Sequence, residues 1–228
     1  MSVLIAVCVV LAITAFVLWR RQVALRRDAY VRSFTFPQGL FEKLRQKHPQ
    51  LTLKDCQLVA HGLRQFFLAH LRSKRGYVSM PSQVADDLWH EFILYTRSYQ
   101  AFCQKAFGRF FHHTPAAVLG SAAKSNAGLR RCWWHACKEE NINPAAPTRL
   151  PLLFALDAKL HIANGFHYVA DCSEIRRQGA DGGQGGVVHC GGDFAGSGDG
   201  GSAGSGDASG SGCSGGDGCG GGGCGGGD

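Results

Sequence analysis

The chain has 228 residues, 32 of them glycine, and a formal net charge of +7. Of those glycines, 25 fall in residues 179–228, a stretch with six aspartates and no lysine or arginine, so residues 1–178 carry a net +13 and the last part −6. This partition excludes a chain folded end to end, a multidomain enzyme and a small disulfide-built secreted protein, and leaves one globular domain between an apolar segment and a glycine-rich tail.

Val3 to Trp19 contains no charge, and Thr14 is its only polar side chain. Seventeen residues at 1.5 Å rise make about 26 Å of helix, near the lower limit for a bilayer span. Residues 1–20 are read as a transmembrane anchor and 21–32 as a basic juxtamembrane segment. A cleaved signal peptide is disfavoured because the run ends in the bulky Phe16, Val17, Leu18 and Trp19 rather than in small residues. Arg20, Arg21, Arg26, Arg27 and Arg32 follow the span, which predicts an outside N-terminus and a cytoplasmic domain, on the inner membrane if the source is Gram-negative. Membrane lipid is the expected partner of this helix. Nucleic acid is not expected, because the basic stretch has no interleaved aromatics and no binding motif. The ten cysteines include no CxxC pair, and no disulfide framework is predicted.

Residues 33–178 read as an all-α domain of about five helices. A short amphipathic helix around Gly39–Leu44 ends at His48-Pro49. Thr52 is an expected N-cap with Asp55 three residues on. The helix after it spaces Cys56, Val59, Ala60, Leu63, Phe66, Phe67 and Leu71 by threes and fours, with Leu53 at its head, and closes at Ser73–Gly76. Ser82 opens a helix predicted to run unbroken to Phe107, with Gly108 as its stop. Another covers about Asn126–Glu140, with Leu129, Cys132, Trp133, Ala136 and Cys137 on one stripe. Leu152–His161 is the last, and Phe166–Val169 is a short strand or extended cover.

One constellation exceeds what packing needs. On an ideal helix with Asp86 at zero, Trp89, Phe92, Thr96, Tyr99, Cys103 and Phe107 fall between about 220° and 300°, the buried face. Asp86, His90 and Arg97 fall within about 40° of zero and form a polar stripe. Asp86 and His90 are i, i+4 neighbours. His112 and His113 lie on a loop that can fold back toward them. Asp86, His90 and either His112 or His113 supply three donors for a divalent metal ion, with a position left for water. The competing reading is a polar network of Asp86, His90 and Arg97 that orients helices and ties down the loop.

These residues resemble the glycine-rich domain-containing proteins, best known from plants and other eukaryotes and with bacterial relatives. The resemblance rests on Asp86-x-x-Trp89-His90, then Tyr99, Cys103, Gly108, a downstream histidine and Pro115. It is clearest over residues 80–115 and extends over about 33–170. The eukaryotic pattern has a second histidine where this chain has Phe92, which removes one potential ligand. The resemblance implies a fold and a pocket, with the chain as a bacterial, membrane-anchored relative, rather than a reaction.

Residues 179–228 hold few large apolar side chains and read as a disordered Gly/Ser/Asp/Cys tail. Cys213, Cys219 and Cys224, set in glycine, can chelate a soft metal ion or be sites of peptide modification. The function expected from this architecture is interaction or scaffolding at the membrane, with a protein partner. The alternatives are a metal-dependent enzyme built on Asp86, His90 and His112 or His113, and a metal-binding or modified tail.

Overall fold

The computed structural model describes residues 1–74, 76–113, 122–170 and 189–194. The protein is all-α: α1 (Ser2–Ser33), α2 (Leu40–Lys47), α3 (Leu53–Arg72), α4 (Gln83–Leu94), α5 (Thr96–Phe107), α6 (Ala122–Glu139) and α7 (Leu152–Lys159). Two residues of β1 (Tyr168–Val169) pair in parallel with β2 (His189–Cys190), followed by a 3₁₀ turn at Gly191–Phe194. Of the tail, only 189–194 is described, so the readings at Cys213, Cys219 and Cys224 lie outside the described residues, as does Pro115.

α1 is one helix of 32 residues, because neither glycine nor proline interrupts it before Phe34. Its apolar N-terminal part is exposed, and the helix is long and apolar enough to cross a membrane. Its last turns belong to the domain, against the expected start at residue 33. Val31 is fully buried, and Tyr30 packs on Phe102 at 6.0 Å. A four-residue ion network clamps this end: Arg72 reaches Asp28 and Glu139, each at 2.7 Å, and Arg32 reaches the same two acids. Burial works against the Asp28 charge, but the two guanidiniums prevail and hold its carboxyl below the usual range. Arg64 closes the helix by donating to the Phe34 carbonyl at 2.8 and 3.0 Å, which satisfies a carbonyl the helix leaves open.

α3 is the centre of the bundle and packs against α1, α2, α4, α6 and α7. Its capping box forms as predicted, with Thr52 and Asp55 bonded reciprocally. Cys56, Val59, Ala60, Leu63, Phe66 and Phe67 are buried, while Leu53 is exposed. Gly62 lets α7 approach, since a Cβ there would collide with Leu156. The core joins Phe66, Phe67, Phe92, Tyr99, Phe102 and Trp89 in one aromatic cluster, each fully buried ring contributing about 2–3 kcal/mol of hydrophobic stabilisation.

Further expectations need correction. The helix predicted from Ser82 to Phe107 is two helices, broken at Tyr95 (φ −78°, ψ 59°). No proline or glycine marks the break. It rotates α5 so that Phe102 and Ala106 join Tyr99, Cys103 and Phe107 inside, while Thr96 is exposed. The Tyr95 hydroxyl donates to the Gln38 carbonyl at 3.4 Å, which holds the corner against the chain before α2. The second correction is at the far end. Residues 189–194 belong to the domain: Phe194 packs on Trp133 at 5.5 Å and on Phe154 at 6.1 Å. Cys190 is buried and disulfide-bonded, where no disulfide was predicted.

Candidate metal centre

The start of α4 is fixed before the helix carries any chemistry. Ser82 accepts from the Ala85 N–H at 3.3 Å. Asp157 on α7, 1% exposed, accepts from the Ser82 hydroxyl and the Gln83 N–H, both at 2.7 Å, and from the Val84 N–H at 3.2 Å. It also takes the Phe166 N–H at 2.9 Å. A buried carboxylate thus occupies the positive end of α4 and satisfies its free donors. Sequence reasoning missed Asp157. Its signal is visible in retrospect: it is the one acid in the apolar run Leu152–Lys159.

Asp86 stands one turn into α4, and His90 one turn further. His90 Nδ1 lies 3.4 Å from one Asp86 oxygen. His113 Nε2 lies 3.0 Å from the other. The two imidazole rings are 4.2 Å apart at their centroids. Donor atoms of Asp86, His90 and His113 all fall within 4.8 Å of one another. The neighbouring carboxylate, Asp87, is engaged elsewhere, 2.8 Å from His48 and 3.6 Å from Lys47. Asp86 is therefore the carboxylate left for the two histidines.

A strut beneath the cluster positions His113. Trp89 donates its indole N–H to the Tyr99 hydroxyl at 3.1 Å, and that hydroxyl donates to the Phe111 carbonyl. Burial pushes the Tyr99 phenol far up, so it stays protonated and keeps this donor role. Phe111 stacks on Trp89 at 5.0 Å, and His113 meets the same indole edge-on at 4.6 Å. Gly108, at φ +73°, turns the chain out of α5 toward this loop. The α4 tryptophan and the α5 tyrosine thus place a loop histidine over an α4 carboxylate.

Of the predicted site residues, Asp86, His90 and His113 converge. His112 is exposed and lies against the Phe110 ring at 4.8 Å instead. Arg97 is exposed on α5, beyond the break at Tyr95, and among the described residues makes no ion pair with Asp86. The stripe that joined it to Asp86 assumed a continuous helix. Cys103 is buried, and burial raises its thiol, which excludes an accessible thiolate nucleophile.

The three donors fit a divalent ion. Zinc–nitrogen and zinc–oxygen bonds of about 2.0–2.2 Å put neighbouring ligands roughly 3.3–3.6 Å apart in a tetrahedron. The observed 3.4 and 3.0 Å run to the two different oxygens of Asp86, and the three donors lie within 4.8 Å of one another, so one ion is held if the carboxylate binds through both oxygens or the imidazoles close on one of them. His90 is 45% exposed at its side chain, so the cluster is open to solvent on that side.

Fold and site together define an all-α domain, continuous with an N-terminal apolar helix, that displays a carboxylate and two imidazoles on its surface. The chain belongs to the UCP032817-like family, whose model matches residues 26–194. The match starts in the last turns of α1 and stops at Phe194, the limits that packing gives the domain. No curated protein and no solved structure matches the chain.

Proposed function

We propose that this is a single-pass membrane protein whose helical domain binds a divalent metal ion through Asp86, His90 and His113. The observation that carries the reading is the convergence of these donors from two elements 27 residues apart, on a scaffold built to hold the loop. Three protein ligands with a solvent-facing fourth position is the pattern of a site that takes water or a ligand from a partner. Trp89, Tyr99 and Gly108 support it, because they hold the loop that carries His113 over Asp86 and beside His90. The ion would supply Lewis acidity at the open position, and this chain's residues would hold it and fix its geometry. An interaction role at the membrane is compatible, with the open position as the point of contact.

The arginines after Trp19 favour a cytoplasmic domain. The Cys190 disulfide is the opposing signal, since such bonds persist in oxidising compartments. We propose the cytoplasmic orientation on the arginines, and the state of the Cys190 bond in the cell is its test.

The test is elemental analysis of the detergent-solubilised full chain with Cys213→Ser, Cys219→Ser and Cys224→Ser, beside the same chain with His90→Ala. About one metal ion per chain, lost with His90→Ala, is the expected result. Equal metal content in both, or none in either, would overturn the reading.

A further inference from the structure

A cavity of about 850 Å³ lies where the arginine-bearing part of α1 meets the ends of α3 and α5. Trp19, Arg20 and Arg27 line it from α1, His70 from α3, and Lys74 and Arg109 from the segments just beyond α3 and α5. Among the described residues, no acidic side chain is in its wall. Among the described residues, none of the four cations makes an ion pair. Nearby Arg32 and Arg72 show the contrast, because Asp28 and Glu139 neutralise both. Four uncompensated cations around one concavity are a field awaiting an anion.

Arg27 lies over Gly108 at the end of α5, so its guanidinium reaches from α1 to that end of the cavity. His70 is held between rings, stacked on Phe111 at 3.6 Å and edged by Phe107 at 5.0 Å. Its Nδ1 is buried and has no hydrogen-bond partner. Burial, with Arg109 nearby, pulls the His70 pKa down to about 4, so the ring is neutral and can donate a hydrogen bond.

Trp19 decides which anion. It is the last residue of the apolar run, the place where an interfacial tryptophan sits at headgroup level. The cavity therefore opens where a bilayer ends, which a free phosphate does not require. We propose that this cavity binds the phosphate headgroup of an anionic membrane lipid, held by Arg20, Arg27, Lys74 and Arg109, with Trp19 beside the glycerol end. The proposal rests on α1 entering the bilayer. It does not depend on the metal centre.

The full chain is reconstituted into phosphatidylcholine bilayers with and without phosphatidylglycerol, extracted in mild detergent, and its retained lipid measured by native mass spectrometry. Phosphatidylglycerol is retained over phosphatidylcholine. Lys74→Gln and Arg109→Gln, both at exposed positions that do not support the core, each lower that preference about fivefold, the attraction of one surface cation to an anionic headgroup. Arg21→Gln with Arg26→Gln, on the same helix but outside the cavity, leaves it unchanged. Equal loss in the Arg21 and Arg26 pair would overturn the site in favour of diffuse attraction. Displacement of the lipid by millimolar inorganic phosphate would reassign the cavity to a soluble anion. A chain that resists alkaline carbonate extraction but shows no lipid preference contradicts the lipid site alone. One that carbonate extracts contradicts the membrane reading and this proposal together.

Discussion

Trp89 donates its indole N–H to the Tyr99 hydroxyl at 3.1 Å, and this bond joins two helices that the break at Tyr95 has turned apart. Because Tyr99 passes the contact on to the Phe111 carbonyl, the strut also sets the height of His113 over Asp86. Tyr99→Phe removes the hydroxyl and leaves the Trp89 N–H and the Phe111 carbonyl unpaired. The expected cost is about 1–3 kcal/mol in unfolding free energy. Metal affinity should also fall, by roughly tenfold or more, as when an outer-shell partner of a ligand is lost. Chemical denaturation and a metal titration on the same variant read both. An unchanged affinity beside a lowered stability would separate the strut from the site.

Asp157 is the second structural key. Four donors converge on its carboxylate, three of them at the start of α4. Asp157→Ala leaves the Ser82 hydroxyl and the Val84 N–H buried without this acceptor and the other two donors part-buried, and the expected destabilisation is about 2–4 kcal/mol. Thermal unfolding checks this. A loss below about 1 kcal/mol would mean that water replaces the carboxylate.

The contrast between Asp86 and Asp157 shows what the sequence can and cannot display. Asp86 and His90 are legible because a helix period of 3.6 places i and i+4 together wherever the helix runs. The pairing with His113 depends on how a loop folds back, and the sequence offers that loop two histidines without ranking them. Arg97 fails for a related reason. Periodicity was extended across Tyr95, where no glycine or proline announces a corner, and the break comes from tertiary contacts such as Tyr95 with Gln38. The core stripes of α3 and α6 were legible because each lies within one uninterrupted helix. Phe194 was not, because glycine-rich surroundings mask a single ring that completes the packing of Trp133 and Phe154.

His70 predicts a pH dependence with a definite sign. Its folded pKa of about 4 lies below the ordinary 6.5, so the unfolded chain binds the extra proton between those values. Stability from the neutral ring is present above about pH 6.5 and is lost as pH falls toward 4, up to about 3 kcal/mol in all. Arg109 faces the ring, and Arg27 and Lys74 line the same cavity, where among the described residues no acid offsets the effect. His70→Phe keeps the aromatic stack without the proton. Denaturant melts of both proteins from pH 7 to pH 5 should show the variant gaining on the wild type as pH drops. A constant difference across that range would contradict the assignment.

The orientation inferred from Arg20, Arg21, Arg26 and Arg27 makes a prediction about Cys190. A reducing cytoplasm keeps such a bond open and an oxidising compartment keeps it closed, so the state of the Cys190 bond in the cell reads the topology. Cells quenched with acid and alkylated under denaturing conditions should yield Cys190 in the labelled form. A bond still intact after that treatment would place the domain in an oxidising compartment and reverse the topology.

The most direct test of the metal centre is a zinc titration by calorimetry on the full chain in detergent, with Cys213→Ser, Cys219→Ser and Cys224→Ser in the background. Asp86→Asn, His90→Ala and His113→Ala are compared one at a time. One ion should bind per chain, with affinity falling as pH falls because the ligands must release protons, and each of the three substitutions should abolish it. Binding that survives His113→Ala at full affinity, or no binding in the parent chain, would contradict the account.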